Sequence, residues 1–162
     1  MKKPWQLPIN LLILFVVFAS CKTNTQGLKN YSDDPGNPEI GYEILIEGEQ
    51  GNFMDAQERV ITNKTALAEA MATINSTRKP SIPTPDIDFS KDYVGLIALG
   101  QKNTGGYAIR IAEMRNVDHE MVVYLQQPKP SKYATMALTT PFVLFKFKKQ
   151  EGVPSFIVRN AQ

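Results

Sequence analysis

The chain has one cysteine, Cys21, and one histidine, His119, in 162 residues. A single cysteine excludes intrachain disulfides and zinc-thiolate clusters, so stability has to come from packing. A lone histidine within Val117-Asp118-His119-Glu120, with no Gly-x-Ser-x-Gly elsewhere, leaves a histidine-based hydrolase without its parts. It reads as a solvated turn residue. Long apolar runs are missing too. The longest, Leu11 to Ala19, is nine residues, against the roughly 20 that cross a bilayer core. Excess charge of one sign is absent as well. Removing Lys2 and Lys3 from 18 Lys+Arg leaves 16, equal to the 16 Asp+Glu. A near-neutral chain carries no electrostatic footprint for nucleic acid.

What is present begins at the N-terminus. Met1-Lys2-Lys3 is basic, Leu11 to Ala19 is apolar, and Phe18-Ala19-Ser20-Cys21 ends the run with small residues before a cysteine. This is the pattern of a bacterial lipoprotein signal, with Phe18 where Leu is usual. The expectation is a signal peptide over 1–20 and a lipid-anchored Cys21. Two or three acyl chains there would anchor the chain stably. Residues 21–41 read as a lipidated tether, since Ser32-Asp33-Asp34-Pro35-Gly36-Asn37-Pro38 cannot bury enough surface to order itself. Lys22 after the cysteine is not an inner-membrane retention signal of the Asp type, and no acidic export run follows. The expected location is therefore the cell envelope, at the outer membrane and facing the periplasm.

Residues 42–162 are expected to form a single β-rich domain. Tyr42 to Gly48 has strand composition, and Glu58 to Thr62 reads as its partner. In 63–75, Leu67, Ala70, Met71 and Ile74 fall at i, i+3, i+4 and i+7, one face of an amphipathic helix, with Thr62 or Asn63 as N-cap. Pro80, Pro83 and Pro85 then break regular structure. Strands are expected at Tyr93–Leu99, Tyr107–Met114, Glu120–Gln126, Phe142–Lys148 and Phe156–Arg159. The fold class is α+β, mainly antiparallel β: a sandwich or barrel-like sheet with one helix.

Gly100-Gln101-Lys102-Asn103-Thr104-Gly105 has the spacing of a phosphate loop, but Gly106-Tyr107 stands where Lys-Ser/Thr must be, and a strand follows. Phosphate binding is excluded. The stretch reads as a long hairpin connection with Gly105 and Gly106 at positive φ, and as an exposed loop whose bare backbone a partner can approach. Pro128-Lys129-Pro130 and Thr139-Thr140-Pro141 are the other loops of interest, serving either recognition or protection of sheet ends. Asp86, Asp88 and Asp92 offer paired carboxylates, the chemistry of calcium ligation or glycoside hydrolysis, though without the spacing of a calcium loop. No metal or cofactor is expected.

Several of these stretches resemble one family in order. Ile87-Asp88-Phe89-Ser90, Tyr93 to Gly100, Lys102-Asn103-Thr104-Gly105-Gly106-Tyr107, Pro128-Lys129-Pro130 and Thr139-Thr140-Pro141-Phe142 are similar to the core of the PrcB family. The resemblance spans about residues 58 to 150. It implies a non-catalytic lipoprotein subunit that associates with, and stabilises, a subtilisin-like surface protease complex. On that basis Lys102, Asn103, Thr104, Gly105, Gly106 and Tyr107 are the candidate partner-binding residues, flanked by Pro128, Lys129 and Pro130. The partner is a protein, either a protease or another envelope protein. Two alternatives stay open: a carbohydrate-active or hydrolytic envelope domain using the carboxylates near Asp86–Asp92, and a structural envelope lipoprotein with no dedicated ligand.

Overall fold

The computed structural model describes residues 39–117, 120–126, 136–150 and 155–161. Among them are seven strands and one helix: β1 (Tyr42–Gly48), β2 (Ala56–Ile61), α1 (Lys64–Asn75), β3 (Asp92–Leu99), β4 (Ile111–Val117), β5 (Glu120–Leu125), β6 (Phe142–Lys148) and β7 (Phe156–Asn160). They form a four-stranded sheet, β1-β6-β3-β2, and a three-stranded sheet, β4-β5-β7. The fold is α+β, with the two sheets packed as a sandwich rather than closed into a barrel. No described helix is long and apolar enough to cross a membrane.

The two inner strands of the larger sheet explain its sequence. Every residue of β6 from Phe142 to Phe145 is buried, because both of its faces are covered. Phe142 and Leu144 meet the α1 side with Val94, Leu96 and Ala98 of β3. Val143, Phe145 and Phe147 meet the smaller sheet through Met114, Met121 and Val123. Two apolar layers on one sheet turn the period-2 alternation into nearly continuous apolar runs.

Helix α1 follows its sequence closely. The Asn63 side chain accepts a hydrogen bond from the Ala66 amide at 2.9 Å, satisfying one of the helix's orphan donors. Leu67, Ala70, Met71 and Ile74 are all buried against the larger sheet. The proline-rich stretch after it is pinned by Asn75, whose side chain accepts from the Ile82 amide at 2.8 Å and donates to the Ile82 carbonyl at 2.9 Å.

Several expectations are corrected. β2 does not pair with β1; it pairs antiparallel with β3, from Ala56↔Leu99 to Ile61↔Val94, while β1 pairs with β6. The reason is the segment 49–55, which is no tight turn. It runs across the sheet end, where the Gly51 amide donates to the Thr140 carbonyl and the Gln101 amide to the Met54 carbonyl. Residues 107–110 are not strand, because β3 and β4 lie in different sheets and 100–110 is the crossover between them. Gly105 does not take a positive φ; Gly100 (+70°) and Gly106 (+89°) do. β5 and β7 are parallel, the exception among otherwise antiparallel pairs. Between them the chain leaves for β6 in the other sheet and returns, so β7 is free to run in the direction of β5. The packed part also reaches back before Tyr42, since Ile40 is buried and its amide donates to the Met114 carbonyl at 2.8 Å.

Candidate functional site

The stretch 100–107 is anchored at its base and open at its tip. Gly100 is the first fixed point. Its φ of +70° is a left-handed conformation, and a Cβ there would sit 2.8 Å from the Ala56 nitrogen, so only glycine fits. The next two residues are held by backbone. The Gln101 amide donates to the Met54 carbonyl at 3.0 Å, and Lys102 and Thr139 exchange two bonds of 2.8 and 3.0 Å. The Thr139 hydroxyl donates to the Thr104 carbonyl at 2.9 Å. The Gly106 amide donates to Glu49 Oε1 at 3.1 Å. Within this frame Asn103 and Gly106 are exposed, Lys102, Thr104 and Tyr107 are half-buried, and Gly105 is buried. The Lys102 ammonium lies 5.9 Å from the centre of the Tyr107 ring, within cation–π range.

Thr139 and Thr140 are the buried polar side chains of the described core. Thr140 Oγ1 accepts from the Gly51 amide at 3.0 Å and the Asn52 amide at 2.9 Å. Asn52 takes a φ of 60°, and its side-chain amide donates to the Thr73 and Ile74 carbonyls at the end of α1. The Thr-Thr-Pro stretch is therefore the platform on which both 49–54 and 101–104 rest. Sequence reasoning singled out Thr139 and Thr140 only as a loop. Glu49, Asn52 and Met54 carry no motif and reach the site only through long-range hydrogen bonds. Pro128, Lys129 and Pro130 lie outside the described residues, as does His119.

The carboxylates of the alternative reading lie at the other end of β3, roughly 23 Å away at about 3.3 Å per strand residue. Asp88 closes its own turn, accepting from the Ser90 amide at 3.0 Å and from the Ser90 hydroxyl, with Lys91 Nζ 3.1 Å from its other oxygen. Those partners, the Ser90 hydroxyl first, hold its carboxyl down at about 2. Asp92 pairs with Lys148 at 2.8 Å. Asp86 is exposed and borders a shallow hollow of about 240 Å³ lined by Leu67, Ile87 and Phe89 with Lys64 at its rim. Among the described residues no group of three His, Cys, Asp or Glu side chains comes together. Each acid has a structural occupation or open solvent around it.

Asp88 yields a direct prediction. Its folded pKa lies below the unfolded value of roughly 3.9, so its contribution to stability is present above that value and disappears as pH falls through about 2. A carbon-detected NMR titration should give Asp88 a midpoint of about 2, and Ser90→Ala should raise it. An unshifted midpoint in the intact protein would contradict the turn geometry.

Residues 93–148 match the family described as PrcB C-terminal. Over that stretch the chain is similar to the PrcB family. The match runs from β3 to the end of β6 and takes in the whole loop from Lys102 to Tyr107 and its Thr139–Thr140 platform. No curated protein and no solved structure matches the chain. The PrcB stretch supplies the central strand pair β3–β6 of the larger sheet and the β4–β5 hairpin of the smaller one. The elements outside it in the described residues, β1, β2, α1 and β7, flank and cover that centre. A PrcB C-terminal match is consistent with an accessory domain that interacts with protein.

Proposed function

We propose that this chain is a lipid-anchored, non-catalytic accessory domain that associates with and stabilises a secreted or surface protease complex. Cys21 is the lipidated residue, and the domain sits at the outer membrane facing the periplasm. The observation that carries this reading is the loop from Lys102 to Tyr107. It lies within the PrcB stretch, and its base is fixed by backbone bonds at Gln101 and Lys102 while Asn103 and Gly106 remain exposed. A loop ordered before it binds loses less entropy on docking. Tethering adds to this by confining the search for a partner to a thin layer above the membrane, which raises the effective concentration.

The anchor and the partner are tested together on the full chain. Cys21→Ser should abolish incorporation of labelled palmitate and move the chain to the soluble fraction. The wild type, solubilised from envelopes by detergent, should co-purify with one recurrent protease. Palmitate label that persists after Cys21→Ser, or is absent from the wild type, contradicts the anchor. Absence of any recurrent protein partner favours a structural lipoprotein instead.

A further inference from the structure

We propose that Met54, Leu138 and Met136, with Lys102 and Tyr107 beside them, form an apolar docking surface. Its occupant is a protein segment bearing aliphatic or aromatic side chains and a carboxylate within reach of Lys102. This rests on the protein-binding reading above and extends it to residues that lie outside the loop.

The described chain exposes five large apolar side chains. Ile44 and Ile157, at 39 and 40%, sit on strands of different sheets. The other three are far more exposed, Met54 at 61%, Leu138 at 63% and Met136 at 95%, and they lie on two segments that are both bonded to the base of the candidate loop. The Met54 carbonyl accepts from the Gln101 amide at 3.0 Å, and Thr139, next to Leu138, exchanges bonds with Lys102. The Gln50 side chain donates to the Leu138 carbonyl at 3.1 Å. The segments around residues 54 and 138 thus flank the base of the candidate loop, joined to it by main-chain bonds. Their high exposure on segments joined at a loop base is what an interaction surface offers a partner. Two of the three are methionines, whose unbranched thioethers adapt to irregular partners.

The charges select the occupant. Lys102 makes no ion pair among the described residues, and its ammonium lies beside the Tyr107 ring, free to receive a carboxylate. Glu49, the nearby acid, is engaged by the Gly106 amide. Anionic lipid would need a cluster of Lys and Arg. Among the described residues here, Lys102 and Arg78, whose guanidinium donates to the Gln50 carbonyl, are accompanied by Glu49 and by exposed Asp55, a balance of charge that argues for a protein segment over a membrane surface.

The test is site-specific photo-crosslinking in native envelopes with the full chain. A benzophenone amino acid replaces Met54, Leu138 or Tyr107 in turn, with Ile44 and Ile157 as controls. Positions 54 and 138 should crosslink to one protein other than this chain, at a peptide that contains Asp or Glu. Lys102→Glu should cut the yield roughly tenfold, the consequence of setting like charges together, while Lys102→Arg retains it. Crosslinks from 54 and 138 to lipid, to a second copy, or no more strongly than from 44 and 157 overturn the proposal. Crosslinking from 107 alone overturns it while leaving the protein-binding reading intact. Silence at 54, 138 and 107 overturns both.

Discussion

Phe145→Ala is expected to destabilise the domain by about 3–5 kcal/mol, a large share of the roughly 5–15 kcal/mol that a domain possesses. Phe145 is fully buried and touches three other rings: Phe156 at 5.8 Å, Phe147 at 5.9 Å and Tyr42 at 6.4 Å between centroids. It also lies directly across from Gly95 in the β3–β6 ladder. A Cβ at Gly95 would fall 2.1 Å from Phe145 Cζ, so the glycine is the space that the ring occupies. Gly95→Ala alone should therefore cost about 1–3 kcal/mol by overpacking. In the Phe145→Ala background the same change has room, and the cycle should show a coupling of at least ~1 kcal/mol. Urea unfolding of the four proteins checks this. Additive costs would mean that ring and glycine do not share the space.

Thr140→Val is the second large effect, and it reaches the candidate site. Valine keeps the shape of threonine but cannot accept the Asn52 amide, and leaving such a donor unpaired costs about 1–3 kcal/mol. The Gly51 amide retains its bond to the Thr140 carbonyl at 2.8 Å. What loosens is Asn52, and with it the link from the end of α1 to the 49–54 segment that receives the Gln101 amide. Hydrogen exchange should accelerate at Gly51, Asn52 and Gln101 and stay slow at Val94 and Leu96 in β3. Thr140→Ser should restore protection. Uniform acceleration, or none, would contradict the role given to this platform.

These residues also mark how far the sequence could be read. Leu67, Ala70, Met71 and Ile74 announced α1 because a helix packing on one sheet needs one apolar face, and the Asn63 cap is a local interaction. The bounds of β1 and β6 were equally legible, since their composition and end signals lie within the segment. Pairing was not. The partner of β2 is decided by the 49–55 segment crossing the sheet end, and nothing within Ala56–Ile61 encodes that path. The strand expected at Tyr107 stops short for a similar reason. Ile109 and Ile111 do alternate into the core, but a crossover between sheets leaves 107–110 without a ladder. The parallel run of β7 depends on a passage through the other sheet. At the site, Lys102 to Tyr107 stood out by their glycines, whereas Met54 and Leu138 join them only through long-range main-chain bonds.

If the loop proposed to dock a protein uses Tyr107 as its aromatic anchor, binding affinity reports it. The full chain, wild type or Tyr107→Ala, would be titrated against the envelope protease that co-purifies with it, with urea midpoints measured in parallel. Loss of an aromatic anchor should weaken binding by over ~2 kcal/mol, on the order of 30-fold, while the unfolding midpoint stays unchanged. Equal affinities for the two folded proteins would contradict the account.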